Sequence, residues 1–252
     1  MIRLLHITDP HLFGDPVGEL RGTVTLESLM SVLRHVRASA WTPDLIALTG
    51  DLVQDHSREA YMHFNELFPA DGPPVLCVPG NHDVPGLMKD TLDHPPFHYC
   101  ISFDVGEWRI INIDSVREGS AGGEIRESEL DRLRNELDTT PKHALICLHH
   151  PPVAVSSRWL ESVGLRNRDQ FNALVTEGDK ARGVLFGHVH QVVEDELEGV
   201  LIIGTPSTGR QFMPGSETFA VDDQPPAYRK IHLNDDGTIE STLVWVKQEA
   251  GK

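Results

Sequence analysis

Five short apolar runs in this chain each end on a fragment dense in oxygen and nitrogen donors: Asp9-Pro10-His11, Gly50-Asp51, Gly80-Asn81-His82-Asp83, His149-His150 and Gly187-His188-Val189-His190. Polar groups set directly against a core are unfavourable unless something pairs with them. In open α/β sheets such groups collect at the carboxyl ends of strands, so fragments far apart in sequence can meet in one crevice. The chain must therefore fold so that several strand ends converge.

The runs between the fragments define the rest of the fold. Apolar stretches of strand length alternate with longer segments of helical period, the pattern of helices covering the faces of a sheet. Strands are expected at Ile2 to Thr8, Leu45 to Thr49, Val75 to Val78, Ala144 to Leu148 and Val184 to Phe186. Between Ile101 and Asp114, two strand-like runs flank the turn-prone Gly106-Glu107 and suggest a hairpin. Helices are expected from Thr23 to Ala40, closed by Pro43, from Arg58 to Phe68, from Glu127 to Leu137, whose acids suit the helix start, and around Asp169 to Val175. The tail differs: Val200 to Ile203, Tyr228 to Leu233 and Thr238 to Val246 lack intervening helices and are expected to pair antiparallel in a second sheet. The expected fold class is α/β (α+β), a four-layer αββα sandwich with two central mixed β-sheets, in a single domain over residues 1–252.

Charge and cysteine usage narrow the class. Lys and Arg number 22 against 38 Asp and Glu, a formal charge of −16, which disfavours tracking a nucleic-acid backbone or an anionic membrane. Cys77, Cys100 and Cys147 are odd in number and lie in or beside apolar stretches, as buried free thiols do. With no apolar segment of signal-peptide or membrane-spanning length, a cytoplasmic protein is expected.

Each fragment has its own chemistry. Asp9 and His11, two apart after a strand, share a face and can grip one ion if the backbone stays extended; the same alternation applies to His188 and His190. Asp51 carries two oxygens able to bridge a pair of cations, with Gly50 allowing close backbone approach. Asn81, His82 and Asp83 put an amide oxygen, an imidazole and a carboxylate side by side after a strand. One of His149 and His150, at the mouth of a buried strand stopped by Pro151-Pro152, is a ligand. His35, His56, His63, His94, His98 and His143 lack partners at ligand spacing and are expected at the surface.

In order and approximate spacing these fragments resemble the calcineurin-like metallophosphoesterase superfamily, over roughly Ile2 to Ser207. More narrowly, Leu5-His6-Ile7-Thr8-Asp9-Pro10-His11-Leu12-Phe13, Thr49-Gly50-Asp51-Leu52, Val78-Pro79-Gly80-Asn81-His82-Asp83, Gly123-Glu124-Ile125, Leu165-Arg166-Asn167 and Gly204-Thr205-Pro206-Ser207-Thr208 resemble the bacterial class III 3',5'-cyclic nucleotide phosphodiesterases. The resemblance implies the αββα fold and two divalent ions. Asp9, His11, Asp51 and His190 would hold the first ion; Asp51, Asn81, His149 and His188 would hold the second. His149 is chosen over His150 because the family's ligand is followed by one residue and then proline. His11, Asp51, Asn81, His82 and His190 would lie against the substrate. His82 would face the phosphate and serve the leaving oxygen, and Asp83 would orient it.

Two divalent ions set against Asp9, Asp51 and a bridging hydroxide leave about one net positive charge, enough to admit a phosphodiester anion into an acidic protein. The implied reaction is metal-assisted hydrolysis of a small anionic diester, cyclic AMP to the 5'-monophosphate. Alternatives are a broad phosphodiesterase acting on glycerophosphodiesters and, from another class, a non-catalytic scaffold, which should have lost ligands that this chain retains. Gln54 stands where purple acid phosphatases carry a tyrosine, and no arginine follows Asp51 as in the protein serine/threonine phosphatases. The donor set suits iron, manganese, zinc or cobalt. A homodimer is compatible with the resemblance, and no nucleic-acid polymer or membrane partner is expected.

Overall fold

The computed structural model describes residues 1–247, so the last five residues of the expected 1–252 span lie outside the described residues. The first half of the chain forms β1 (Ile2–Ile7), β2 (Leu45–Leu48), β3 (Val75–Cys77), β4 (Phe97–Tyr99), β5 (Ser102–Val105) and β6 (Trp108–Asn112). The second half adds β7 (His143–Cys147), β8 (Ala181–Phe186), β9 (Val193–Leu197), β10 (Val200–Gly204), β11 (Ala227–Leu233) and β12 (Ile239–Trp245). They make two six-stranded sheets, ordered β12-β11-β1-β2-β3-β4 and β9-β10-β8-β7-β6-β5. In the first sheet β1 to β4 run parallel, β11 is antiparallel to β1 and β12 to β11; in the second β6, β7, β8 and β10 run parallel and both edge strands, β5 and β9, are antiparallel to their neighbours.

The near-continuous apolar runs follow from burial on both faces. In β1 Leu4 points between the sheets, while Leu5 and Ile7 pack under helices; in β2 Leu45 and Ala47 point inward, Ile46 and Leu48 outward. In β7, Leu145 and Cys147 meet the first sheet, and Ala144 and Ile146 face the other way. Helices α1 (Thr25–Ala38), α2 (Arg58–Leu67) and α3 (Pro85–Leu92) cover the first sheet through Leu29, Val32, Phe64 and Met88. Helices α4 (Glu127–Thr139), α5 (Arg158–Glu161) and α6 (Arg168–Thr176) cover the second through Leu133, Leu160, Phe171 and Leu174. The layers are helix, sheet, sheet, helix, as the pattern predicts.

The tail expectation needs correction. Residues 227–245 do not build a second sheet of their own. They extend the first sheet at the β1 edge, with Leu4 opposite Ile231 and Ile231 opposite Ser241. The run from Val200 lies parallel to β8 in the other sheet, reached without a helix through the reversal of β9. Fully buried Arg229 ties the two sheets together: one Nη donates to Glu194 at 2.6 Å and to Ser241, the other to the Gly204 carbonyl at 3.3 Å. The first helix starts at Thr25 rather than Thr23, because Thr23–Val24 pairs with Glu19–Leu20 in a small ribbon. Cys77 and Cys147 are buried free thiols and Cys100 is half-buried; burial pushes all three thiols up. Among the described residues no helix is long and apolar enough to cross a membrane.

Candidate metal centre

The loops that follow β1 and β2 run side by side past the sheet edge. Asp9 N donates to the Gly50 carbonyl at 3.1 Å, His11 N to the Asp51 carbonyl at 3.0 Å, and Leu12 N to the Leu52 carbonyl at 2.9 Å. The second sheet meets them through side chains: His188 N donates to both carboxylate oxygens of Asp9 at 3.0 Å, and His149 Nδ1 lies 2.7 Å from the Thr49 carbonyl. Two glycines make the approach possible. A Cβ at Gly50, whose φ is +94°, would stand 2.6 Å from His149 Nδ1; one at Gly187 would collide with the Thr8 side chain.

The expectation of extended backbone at these fragments is wrong. Asp9, His11, Asp51, His188 and His190 have φ of 51°, 48°, 50°, 67° and 50°, left-handed values that L residues avoid. Strain of this kind persists where the surroundings over-determine it and clusters at functional sites. Asp9 and His11 converge because the chain coils between them, fixed by the bonds to Gly50 and Asp51, and not because alternate residues share a strand face.

The donors converge on Asp51. Its Oδ2 lies 3.4 Å from His149 Nε2 and 3.7 Å from His11 Nε2, while its Oδ1 accepts from the backbone N of His82 at 2.8 Å. Asn81 Oδ1 sits 3.2 Å from His149 Nε2 and 2.9 Å from His188 Nδ1. His190 Nε2 is 3.4 Å from Asp9 Oδ1 and 3.2 Å from His11 Nε2. His149 and His190 each turn Nδ1 to a backbone carbonyl, of Thr49 and of Arg210 (2.6 Å). Donation to those carbonyls puts a ring proton on Nδ1 and directs Nε2 at the carboxylates, the orientation typical of metal-ligating histidine. Among the described residues four sets, Asp9 with His11 and His190, Asp9 with Asp51 and His149, His11 with Asp51 and His82, and His149 with His150 and His188, each bring ligand atoms within 4.8 Å of one another. Nε2 of His11 faces Nε2 of His190 and Nδ1 of His188 faces Nε2 of His149, both at 3.2 Å, lone-pair donors set against one another as a cation between them requires.

Burial and charge act on these groups in opposition. His11 is pushed down to about 4 and His188 to about 3, chiefly by burial, so both are neutral, as ligands must be. At His149 burial also works against the charged ring, but the Asp51 carboxylate outweighs it and raises the group to about 9. Asp51 and Asp9 are held low: burial would raise both, and the neighbouring imidazoles, His149 for Asp51 and His190 for Asp9, more than offset it.

All seven expected ligands gather here. His82 stands at the rim, half-buried, its ring edge-on to His11 at 5.0 Å and its Nδ1 3.3 Å from Gln54 Nε2. Asp83 does not orient it. Its carboxylate accepts from the backbone N of Leu52 (3.1 Å), Val53 (3.3 Å) and Gly80 (2.8 Å) and from the Tyr61 hydroxyl (3.0 Å), binding the Asp51 loop to the Asn81 loop. Burial, with Asp51 nearby, raises it to about 7. His150 lies behind the centre, with Nδ1 2.9 Å from Ser115 Oγ and its ring 4.8 Å from that of His188. The other histidines named above are exposed or half-buried. Two supporting residues have no signature of that role in the sequence: His6, locked between Thr49 Oγ (2.8 Å) and Thr205 Oγ (2.7 Å), and Ser207, whose hydroxyl donates to the Asp9 carbonyl at 2.7 Å. Gln54, noted in the sequence only as a departure from the purple acid phosphatases, lines the open cavity of about 250 Å³ in front of Asp51 together with Trp159, Phe212 and Phe219, which carry no signal in the sequence.

Fold and site together define a metal-dependent phosphoesterase. Residues 2–192 match the calcineurin-like phosphoesterase family, and the chain belongs to it. Over 98% of its length the chain is 36% identical to the 3',5'-cyclic adenosine monophosphate phosphodiesterase CpdA of Haemophilus influenzae, covering 91% of that protein. It is 35% identical to CpdA of Escherichia coli K12 over 96% of its length and 89% of the relative's. A dimetal phosphatase from Danio rerio shares the fold with a TM-score of 0.63 at 14% identity, over 98% of this chain and 99% of that one.

Proposed function

We propose that the chain hydrolyses 3',5'-cyclic AMP to 5'-AMP at a dinuclear centre bridged by Asp51. The observation that carries it is the donor cluster around Asp51 in a chain similar to cyclic AMP phosphodiesterases over nearly its whole length. Asp9, His11 and His190 would complete one ion's shell, and Asn81, His149 and His188 the other's. Bound divalent ions supply a hydroxide nucleophile near neutral pH and charge stabilisation for in-line displacement.

The chain's own groups then have distinct tasks. The carbonyls of Thr49 and Arg210 hold the His149 and His190 rings with Nε2 turned inward. With Gln54 Nε2 donating to His82 Nδ1, the ring presents Nε2–H as a hydrogen-bond donor to the departing oxygen, where negative charge develops. Backbone N of His82 fixes the Asp51 oxygen that faces away from His149. Asp83 keeps both loops in register.

The test is turnover by protein reconstituted with defined metals on cyclic AMP, cyclic GMP, a glycerophosphodiester and a phosphomonoester, with Asn81→Ala as the blank. The highest kcat/KM is expected on a cyclic nucleotide. A higher value on the glycerophosphodiester or the monoester overturns the proposal.

A further inference from the structure

The cavity in front of Asp51 has two unlike walls. One is the donor cluster. The other carries Trp159, Phe212 and Phe219, contributed by three separate segments, with Arg21 from the loop after β1. The three rings pack edge to face, with centroids 5.2 to 5.3 Å apart and planes crossed by 66° to 71°. Phe219 is nonetheless 40% exposed, and the Arg21 guanidinium lies 4.1 Å above its ring.

We propose that this wall is the subsite that holds the substrate's base by stacking, with Phe219, Trp159 and Arg21 as the specificity-determining residues; the inference rests on the phosphodiesterase proposal above. Three observations support it. The wall is rigidly joined to the centre: the Phe212 ring stacks on His190 at 4.1 Å and 6°, and Phe212 N donates to the His190 carbonyl at 3.3 Å. A flat group is therefore held at a fixed distance from the donor cluster. Second, the planar guanidinium over Phe219 already takes the position a purine would use, since guanidinium and base stack on an aromatic face alike. Third, among the described residues that line the cavity Asp51 is the only acid, although the chain carries 38. An anion entering beside the aromatic wall meets Arg21, and Arg210, whose guanidinium is shared with the exposed Asp223 at 3.3 Å. A diester without a base would gain nothing from this wall.

Phe219→Ala and Trp159→Ala test the proposal in the metal-loaded protein, by kcat and KM on cyclic AMP and on glycerophosphoethanolamine, a diester lacking a ring. Each variant is expected to raise KM for cyclic AMP by about 5- to 100-fold, the loss of one base–aromatic stack, with a much smaller effect on kcat and on the ring-free diester. Phe219→Tyr should restore the parent's preference. Equal losses on both substrates, or a KM for cyclic AMP within twofold of the parent, overturn the subsite. If the parent itself prefers glycerophosphoethanolamine, the cyclic AMP proposal fails instead. Should Trp159→Ala not fold, AMP is expected to quench indole emission of the parent more than that of Trp159→Phe, with glycerol 3-phosphate quenching neither; equal quenching by AMP in both overturns the subsite.

Discussion

Asp83→Ala separates two accounts of a residue that sits next to the centre without facing it. The parent carboxylate takes the N–H groups of Leu52, Val53 and Gly80 and the hydroxyl of Tyr61, all from buried surroundings. Removing it strands four donors. A buried donor left unpaired costs about 1–3 kcal/mol, and the vacated space can admit water that recovers part of this, so a loss of about 3–5 kcal/mol is expected. Tyr61→Phe serves as the scale. It removes one bond to Asp83 and the acceptor for Val84 N (2.9 Å), and about 1–2 kcal/mol should follow. Urea unfolding of the metal-free protein gives both differences, and metal content with cyclic AMP turnover gives the consequence: because Asp83 joins the Asp51 loop to the Asn81 loop, metal retention should fall together with activity. If Asp83→Ala unfolds within about 1 kcal/mol of the parent, a change small beside the bonds removed, while activity is abolished with metal still bound, then Asp83 acts on the reacting groups and the scaffold argument fails.

Other perturbations read other links. In the metal-free chain His149 holds its proton up to about pH 9, so loading must expel it. Metal binding should release a proton and strengthen as pH rises from 7 toward 9, measured by calorimetry in buffers of different ionisation enthalpy; no buffer dependence refutes this. Gly50→Ala should lower the thermal midpoint and metal affinity together, by strain of about 1–3 kcal/mol at a φ of +94° and by a contact 2.6 Å from His149 Nδ1; a variant that loads and melts like the parent contradicts the close-approach argument. Phe171→Ala, emptying a fully buried site under α6, should cost about 3–5 kcal/mol in urea unfolding with metal content kept, and a loss below about 1 kcal/mol would mean the second helix layer is not packed as described.

Much of this was legible in the sequence because two-faced burial writes itself into composition. Runs such as Leu45 to Leu48 admit no polar residue, and the polar fragments that interrupt them mark strand ends. What one strand cannot encode is which sheet it joins. Tyr228 to Leu233 reads as a strand either way, and its place beside β1 depends on contacts more than 200 residues apart, such as Arg3 with His232. Local period also misjudged the donor loops, since bonds from Gly50, Asp51 and the opposite sheet override the extended default at Asp9 and His11. Helix α3 went unseen behind the Asn81 fragment, although Pro85 at its first turn is a start signal. The aromatic wall had no local signature: Trp159, Phe212 and Phe219 become neighbours only when α5 and the ribbon Gln211–Phe212 with Val221–Asp222 meet.

The proposed hydrolysis requires Asp51 to join two ions in one catalytic centre. Its most direct test is a titration of metal-stripped protein with a divalent metal, following cyclic AMP hydrolysis and bound metal together. Activity should stay low through the first equivalent and reach its plateau at two ions per chain, with 5'-AMP as product. Full activity at a single equivalent, or two bound ions without cyclic AMP hydrolysis, would contradict it.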